Sequence, residues 1–253
     1  MQKELKKLPT HIAFIIDGNG RWAKSRGLIR SLGHKAGLSR LEKNIKECFY
    51  GYGIPIVSVY AFSTENWNRP NDEVNYLMDL FRKYLGKGFL KKYPETRFNL
   101  MGDMSGLPED IAKKAKNLMD LTKDRTKFIL NLGINYSGQD ELVIAVNKII
   151  EEKIEHVTRQ VISDHLFTRG QPPVDFMIRT SGEQRLSNFM LWQVAYAEFY
   201  FPKVHWPAFN SKQLYKALLE YQSRDRRFGA IKEEKNNDFN YEYWKSKKVL
   251  HSQ

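Results

Sequence analysis

The 253-residue sequence predicts an α/β fold, a single domain over residues 1–253 with a mainly parallel central β-sheet flanked by α-helices. Short apolar runs alternate along the chain with stretches whose apolar residues recur at helical spacing. That alternation is typical of a parallel sheet. The length suits one domain with a full core, and neither a repeat nor a low-complexity linker divides the chain.

Compact apolar runs predict strands that are buried on both faces of the sheet. The runs are Ile12–Ile16, Pro55–Phe62, Arg97–Met101, Lys127–Ile134 and Val174–Ile178. In sheets of this kind, ligands bind at the carboxyl ends of the strands. We therefore expect functional residues directly after these runs.

The stretches between and after the runs predict helices. Their apolar positions are Leu38, Leu41, Ile45 and Phe49; Val74, Leu77, Met78, Phe81 and Leu85; Ile111, Ala115, Leu118 and Met119; Leu142, Val146, Ile149 and Ile150; and Leu214, Leu218 and Tyr221. Asp72 and Glu73 favour the N-terminus of the second helix. Pro108 opens the third helix, and Ser211 is expected to cap the fifth.

The composition indicates an anionic partner and a reducing compartment. The net charge is +12, and charge alone does not choose among nucleic acid, acidic lipid and a phosphorylated metabolite, or a merely soluble Lys-rich surface. The single cysteine, Cys48, cannot form an internal disulfide. No apolar run approaches the roughly 20 residues of a membrane span, and residues 1–11 lack the apolar core of a signal peptide. We expect a cytoplasmic protein that contacts a membrane surface peripherally.

A hexapeptide, Asp17-Gly18-Asn19-Gly20-Arg21-Trp22, directly follows the first predicted strand. Its glycines let the backbone approach a ligand, and its arginine offers a forked cation to phosphate oxygens. The carboxylate would repel a phosphate unless a cation lies between them, and Mg²⁺ is commonly held in this way. The sequence thus indicates a diphosphate site, although Asp-Gly-Asn-Gly is also a turn sequence. It matches neither a Walker loop nor a dinucleotide fingerprint.

Arginines are the second feature of the expected ligand edge. Arg179 comes directly after the last predicted strand, and Arg185 follows six residues later. Together with Arg21, Arg30 and Arg69 they form a set that suits two diphosphates held close together. The alternative is that each arginine makes a surface ion pair worth about 0–1 kcal/mol.

Five segments together carry a resemblance to a known family. They are HIAFIIDGNGRWAKSRG with RSLGHKAG, SVYAFSTENWNRP, LNLGINYSGQDELV, DFMIRTSGEQRLSNFMLWQVAYAEFYF and RDRRFG. In this order they resemble the cis-prenyltransferase family of the undecaprenyl diphosphate synthase type, the isoprenyl transferases. The resemblance spans residues 11 to about 230 and leaves a C-terminal tail of about 231–253. The aspartate-rich DDxxD motif of trans-prenyltransferases is absent from the sequence.

The resemblance implies an enzyme that condenses isopentenyl diphosphate units onto an allylic diphosphate, farnesyl diphosphate above all. The product would be a long-chain polyprenyl diphosphate, the lipid carrier precursor for cell-envelope glycans. The resemblance also implies Mg²⁺ dependence, a homodimer, and peripheral membrane contact for product release. It places a hydrophobic tunnel for the growing chain between the sheet and the helix that carries Leu77, Phe81 and Leu85.

Site residues carry over from the family by position. Asp17 is expected to hold Mg²⁺ and help the allylic diphosphate leave, Asn66 to accept a proton, and Glu198 to be a second metal-linked carboxylate. The residues expected to bind or shape the substrates are Gly18, Asn19, Gly20, Arg21, Trp22, Arg30 and His34 at the allylic diphosphate; Ser63, Thr64, Glu65, Trp67 and Arg69 in a loop over the site; Arg179, Arg185, Leu186 and Ser187 at the isopentenyl diphosphate; and Arg227 and Gly229 from a neighbouring subunit.

Two positions depart from the family pattern. Where the family has Asn-Tyr-Gly-Gly-Arg, this chain has Ser137 in place of the first glycine and Gln139 in place of the arginine. These changes leave the local turn and one charge contact open.

Three other functions compete with prenyl transfer. A nucleic-acid-binding protein would explain the charge and the aromatic content, but no RNP-type, zinc or helix-turn-helix signature is present. A non-catalytic prenyltransferase-like subunit would usually carry a damaged DGNGRW or RTSGE segment, and both are intact. A phosphatase would need a water-activating base beside Asp17, and the sequence shows no such pair.

Overall fold

The computed structural model describes residues 4–86 and 88–224. They form one domain in which a six-stranded parallel sheet is flanked by helices, and this confirms the predicted fold class. Arg227, Gly229 and the predicted tail from about residue 231 lie outside the described residues. Within the described ranges, no helix is both long enough and apolar enough to cross a membrane.

The sheet has the strand order β3-β4-β2-β1-β5-β6. The strands are β1 His11–Ile15, β2 Ile56–Ser63, β3 Thr96–Met101, β4 Phe128–Tyr136, β5 Phe176–Arg179 and β6 Glu198–Tyr200. All neighbouring strands are parallel. The predicted runs match β1 to β5 to within two residues at each end, whereas β6 was not predicted.

The register gathers three strand ends at one edge of the sheet. Ile15 at the end of β1 lies opposite Tyr60 of β2 and opposite Arg179 of β5. Asp17 follows β1 by two residues, and Ser63 ends β2. The first, second and fourth of the family-like segments therefore meet at the carboxyl edge.

Helices connect the strands and cover the sheet. They are α1 Asn19–Lys24, α2 Arg30–Lys46, α3 Asn71–Tyr84, α4 Gly88–Lys92, α5 Glu109–Thr122, α6 Gly138–Glu151, α7 Arg159–His165 and α8 Ser211–Ser223. The prediction that Ser211 caps the last helix is wrong. Asn210 is the cap, because its side-chain oxygen accepts from the Gln213 N–H at 3.2 Å, and Ser211 is the first helical residue.

Both faces of the sheet are buried, which explains why the strands are mostly apolar. Alternate residues such as Ile12 and Phe14 join the main core with α2, α3, α5 and α8. Ala13 and Ile15 point to the other face and join a second core. The aromatic-rich stretch that contains Phe189 supplies much of that second core.

A buried polar ladder crosses the sheet inside the core. The His11 Nε2 lies 2.6 Å from the Ser58 Oγ, and the Asn131 Nδ2 donates to the same hydroxyl at 2.9 Å. The other ring nitrogen of His11 lies 2.9 Å from the Pro172 carbonyl oxygen. Burial lowers the pKa of His11 to about 4, against the opposing effect of the Pro172 bond, so the imidazole is neutral.

Candidate active site

Asp17 is anchored through its main chain at the carboxyl edge of the sheet. Its carbonyl oxygen accepts from the Thr180 Oγ1 at 2.7 Å and from the Ser181 Oγ at 2.9 Å. The Trp206 N–H donates to the same oxygen at 3.0 Å. Three donors from the segments after β5 and β6 therefore fix the position of this carboxylate.

The close contact between Asp17 and the loop after β5 requires a glycine at position 18. Its φ is 99°, a left-handed conformation that side chains rarely adopt. A Cβ at this position would lie 2.0 Å from the Ser181 Oγ and 2.7 Å from the His205 Nδ1. The glycine thus allows the chain after β1 to pack against the loop after β5, which holds Asp17 in place.

The Asp17 carboxylate joins two of the predicted arginines. Its Oδ1 accepts from the Arg21 Nη2 at 2.9 Å, and its Oδ2 accepts from the Arg179 Nη2 at 3.1 Å. The side chain is 27% exposed, so a ligand can reach it. The residues expected at the two diphosphates therefore meet at one carboxylate.

Arg179 is buried and held by several acceptors. Its Nη1 donates to the Arg185 carbonyl oxygen at 2.6 Å and to the Ser187 Oγ at 2.7 Å. Its side chain is only 6% exposed. Its Nε has no hydrogen-bond partner among residues 4–86 and 88–224. A buried guanidinium with an unused N–H is suited to an anionic ligand.

Glu183 bridges the two sets of arginines. Its Oε1 accepts from the Arg21 Nη1 and its Oε2 from the Arg185 Nη1, both at 2.6 Å. Hydrogen bonds from Arg21 and then from Arg185 lower the pKa of this carboxyl, so it is ionised. The sequence did not single out Glu183.

Glu73, at the start of α3, gathers two further arginines and a histidine. Its carboxylate accepts from the Arg30 Nη1 at 2.9 Å and from the Arg69 Nη1 at 3.0 Å, and lies 3.1 Å from the His34 Nε2. Burial lowers the pKa of His34, while the hydrogen bond to Glu73 raises it and the two arginines lower it, with a net lowering. The imidazole is therefore neutral beside a carboxylate that is only 9% exposed.

The loop after β2 begins with a short 3₁₀ turn, Thr64–Asn68. The Asn66 Oδ1 accepts from the Ser63 N–H at 3.2 Å, one half of a capping box. The Trp67 Nε1 donates to the Asn135 Oδ1 at 2.8 Å. These bonds hold Asn66 where it lines a cavity together with Asp17.

This cavity of about 180 Å³ is polar at the carboxyl edge and opens beside an apolar one. The residues that line the polar part include Asp17, Asn19, His34, Asn66, Arg69, Arg179 and Ser187. Ile16, Asn19, His34, Ala61 and Leu77 line both cavities. The apolar cavity continues along Leu41, Phe81, Tyr84 and Leu132. Charged groups for a phosphate therefore lie next to an apolar space suited to a hydrocarbon.

The remaining predicted residues lie at the margins. Trp22 stacks under the Arg26 guanidinium, 4.4 Å from its ring centroid. Gly20 faces Arg30, whose Nε lies 2.9 Å from where a Cβ would be. Leu186 packs on the second core, and Thr64 lines a neighbouring cavity.

Glu198 is not brought to Asp17 within this chain. It begins β6 opposite Phe176, at the amino end of the strand pair, whereas Asp17 follows the carboxyl end of β1. Its Oε2 accepts from the Arg224 Nη1 at 3.1 Å. In the part of the chain that the structure describes, no three His, Cys, Asp or Glu side chains form a metal-binding group.

The two bridging carboxylates are the main site residues that sequence reasoning missed. A signal existed for each, because Glu73 lies four residues after Arg69 and Glu183 two residues before Arg185. Ser181, which the sequence did not single out, anchors Asp17 and contacts His205 at 2.9 Å.

The fold and the site are suited to an α/β enzyme whose substrates join phosphate groups to a hydrocarbon. The family model for undecaprenyl diphosphate synthase, a prenyltransferase family, matches residues 15–229. The chain belongs to this family, as the five segments predict, and it is a transferase of prenyl groups.

Named relatives agree with this assignment. An isoprenyl transferase of Clostridium perfringens is 46% identical over 89% of this chain and 92% of its own length. The farnesyl-diphosphate-specific ditrans,polycis-undecaprenyl-diphosphate synthase of Pasteurella multocida is 41% identical over 89% of this chain and 97% of its own. Lavandulyl diphosphate synthase from Lavandula x intermedia, solved with dimethylallyl diphosphate, superposes with a TM-score of 0.82 at 33% identity, covering 87% of this chain and 98% of its own.

Proposed function

We propose that this chain condenses isopentenyl diphosphate units onto farnesyl diphosphate to make a long-chain polyprenyl diphosphate. The observation that carries the proposal is the Asp17 carboxylate, bonded to Arg21 at 2.9 Å and to Arg179 at 3.1 Å beside an apolar cavity. One arginine belongs to the segment assigned to the allylic diphosphate, and the other to the segment assigned to isopentenyl diphosphate. Both substrates would therefore bind around one carboxylate.

The allylic diphosphate would take the cations around α1, α2 and the loop after β2. Arg21, Arg30 and Arg69 are held by carboxylates and can exchange these partners for phosphate oxygens. His34, neutral and nearly buried, can donate a hydrogen bond to the same group. These residues would stabilise the charge that builds on the diphosphate as the allylic C–O bond breaks.

Isopentenyl diphosphate would bind at Arg179, Arg185 and the Ser187 hydroxyl. The electron pair of its double bond would form the new C–C bond to the allylic carbon, while the C–O pair leaves with the diphosphate. A proton then leaves the neighbouring carbon, and Asn66, which lines the cavity, is the proposed acceptor. The cis geometry would follow from how the two substrates are oriented.

Mg²⁺ fits the donor set that this chain offers. Mg²⁺ in such sites takes one or two carboxylates together with substrate phosphates and water. Asp17 supplies an accessible carboxylate, and the guanidiniums that now contact it could turn to the phosphates. When bound, the ion would supply charge neutralisation for the departing diphosphate. Within one chain, Asp17 would be the carboxylate that binds the ion. Glu198 lies at the amino end of β6, whereas Asp17 follows the carboxyl end of β1.

A homodimer is supported by exposed apolar residues. Val143, Val146 and Ile150 recur along α6 and are 59%, 46% and 67% exposed. Val157 and Tyr196 are 53% and 66% exposed. Surfaces of this kind on a globular protein commonly mark an interface. We propose that this surface meets a second copy of the chain, which would also explain the predicted reach of Arg227 and Gly229 into a neighbouring site.

The apolar cavity would be the start of the tunnel for the growing chain. Leu77 and Phe81, which the sequence assigned to the tunnel, line the cavity, whereas Leu85 lies in the core away from it. The product, a lipid carrier precursor for cell-envelope glycans in this proposal, would leave from a cytoplasmic enzyme through peripheral contact with the membrane.

The test is elongation by the purified protein. Farnesyl diphosphate, labelled isopentenyl diphosphate and Mg²⁺ are incubated with an EDTA control, and the products are resolved by chain length. The proposal expects a ladder that ends in a long product and disappears with EDTA. A dimer that elongates none of several allylic primers would contradict catalysis, and would favour a non-catalytic subunit instead.

A further inference from the structure

Asn188 is docked onto the first turn of α6 by its carbonyl oxygen and by both polar atoms of its side chain. Its carbonyl oxygen accepts from the Gly138 N–H at 2.7 Å, and its Oδ1 accepts from the Gln139 N–H at 2.9 Å. Its Nδ2 donates to the Ser137 Oγ at 2.8 Å. The close approach requires a glycine at 138, because a Cβ there would lie 2.8 Å from the Asn188 carbonyl oxygen. Asn188 is thus fixed to α6.

Ser137, the N-cap of α6, contacts Asn188 through its side chain, whereas Gly138 and Gln139 contact it through backbone N–H groups. Ser137 is 4% exposed, and as the N-cap of α6 it also accepts from the Asp140 N–H at 3.2 Å. Its φ of −144° is extended backbone that any residue adopts. The glycine that the family pattern has at this position could make neither side-chain bond. The departure from the pattern therefore adds a side-chain link between the N-terminus of α6 and Asn188.

Asn188 directly follows Ser187, and Ser187 contacts Arg179. Ser187 and Asn188 have φ values of 48° and 64°, left-handed conformations that persist only where the surroundings fix them. The Ser187 Oγ accepts from the Arg179 Nη1 at 2.7 Å, and the Tyr60 hydroxyl donates to the Ser187 carbonyl oxygen at 3.2 Å. Because Asn188 is bonded to the N-terminus of α6, the conformation of Ser187 is also restrained by that helix.

The same side chain also reaches the loop over the site. The pKa of Glu65 is lowered overall. Burial is the largest single effect and raises it, but several hydrogen bonds, one of them from Asn188, together lower it by more. Asn188 therefore contacts the loop after β2, the N-terminus of α6 and, through Ser187, the buried guanidinium of Arg179.

We propose that Ser137 and Asn188 are positioning residues that set the affinity for isopentenyl diphosphate. They hold Ser187 in its left-handed conformation, so that its hydroxyl stays on Arg179 and the pair presents a preformed diphosphate site. This inference rests on the proposed function, in which Arg179 and Ser187 bind that substrate. Ser137 itself touches no substrate.

The test is a comparison of Ser137→Ala with wild type in steady-state kinetics for each substrate. Loss of one hydrogen bond in the docking is expected to raise KM for isopentenyl diphosphate about three- to tenfold. The kcat and the KM for farnesyl diphosphate should change less than about twofold. Ser137→Thr, which restores the hydroxyl on extended backbone, should return KM towards the wild-type value.

Thr158→Ala is the matched control, because Thr158 caps α7 in the same way, accepting from the Val161 N–H at 3.2 Å, without a link to Arg179. It should leave both KM values unchanged. Equal effects of Ser137→Ala and Thr158→Ala, or no change in KM for isopentenyl diphosphate, would overturn the inference.

Calorimetric titration with isopentenyl diphosphate separates this inference from the proposed function. Wild type should bind it, and Ser137→Ala should bind it about three- to tenfold more weakly. Equal dissociation constants would overturn the positioning role alone. A wild-type protein that binds no isopentenyl diphosphate would overturn the proposed function, and this inference with it.

Discussion

The Arg179 Nη2 donates to the Asp17 Oδ2 at 3.1 Å, although the two residues lie 162 positions apart in the sequence. They meet because β1 and β5 are adjacent parallel strands and both residues lie at the carboxyl ends. The contact places the carboxylate assigned to the metal against the arginine assigned to isopentenyl diphosphate. It is a direct contact between the two proposed substrate positions.

Replacement of Arg179 by lysine tests the forked contacts of the guanidinium. We expect Arg179→Lys to lower kcat/KM for isopentenyl diphosphate by about 100-fold, because one ammonium cannot reach Asp17, Ser187 and the Arg185 carbonyl together. Initial rates with each substrate varied in turn measure this. Arg82→Lys, at an arginine that pairs with Asp110 at 2.7 Å on the surface, should leave the rates unchanged. Similar losses in both variants would argue against the assigned role.

Removal of the Glu73 charge should shift the titration of His34. The hydrogen bond to Glu73 raises the pKa of His34 against the larger effect of burial, so Glu73→Gln should lower that pKa further. The imidazole Cε1–H signal, followed by NMR against pH and assigned with His34→Gln, measures it. Glu152→Gln is the control, because Glu152 pairs with His165 instead, at 3.0 Å. A raised or unchanged His34 pKa in Glu73→Gln would contradict this electrostatic description.

His11 should make the protein less stable in mild acid. Its pKa is about 6.5 when unfolded and about 4 when folded, so between these values the unfolded chain binds the additional proton. The free energy of unfolding should therefore fall as pH drops from 6.5 towards 4, with this residue contributing about 2 kcal/mol between pH 7 and pH 5. Urea unfolding at both pH values measures the difference.

His11→Gln should reduce that difference by a similar amount, even though it lowers stability at pH 7 through the loss of buried hydrogen bonds. His156→Gln, at an exposed position, should keep the wild-type difference. An unchanged pH dependence in His11→Gln would show that the buried imidazole is not the group responsible.

Filling the apolar cavity should shorten the product. Leu80 lines that cavity and also the wider opening beside α4, so the indole of Leu80→Trp would occupy space that the growing chain needs. We expect the product ladder to stop earlier, with initial rates of the first condensation changed less than the final length. Leu121→Trp, at a leucine 57% exposed on α5, should give the wild-type ladder. A wild-type ladder from Leu80→Trp would place the tunnel elsewhere.

The sheet could be predicted because strands buried on both faces are mostly apolar, and β1 to β5 each carry a run of apolar residues. The strand β6 could not, because its three residues, Glu198–Tyr200, lie within an aromatic-rich stretch that shows no period of its own. The last helix was predicted but its cap was not. Asn210 and Ser211 are both good capping residues, and only the backbone geometry decides between them.

The cationic half of the site could be predicted because arginines directly after buried strands lie at the ligand edge. The two bridging carboxylates, Glu73 and Glu183, could not, because each has a sufficient local explanation. Glu73 reads as a residue that favours a helix N-terminus, and only the packing of α2 against α3 brings Arg30 and His34 to it. Ser137 reads as a deviation from the family pattern until the structure shows its contact with Asn188.

In the proposed function Asp17 lies at the reacting centre between two diphosphates, and the variant Asp17→Asn tests this position. The amide keeps the shape of the side chain but removes the charge that would hold Mg²⁺. Single-turnover elongation of farnesyl diphosphate at saturating Mg²⁺ should be at least about 100-fold slower than in wild type, with isopentenyl diphosphate still bound. Elongation by Asp17→Asn at a near wild-type rate would contradict the account.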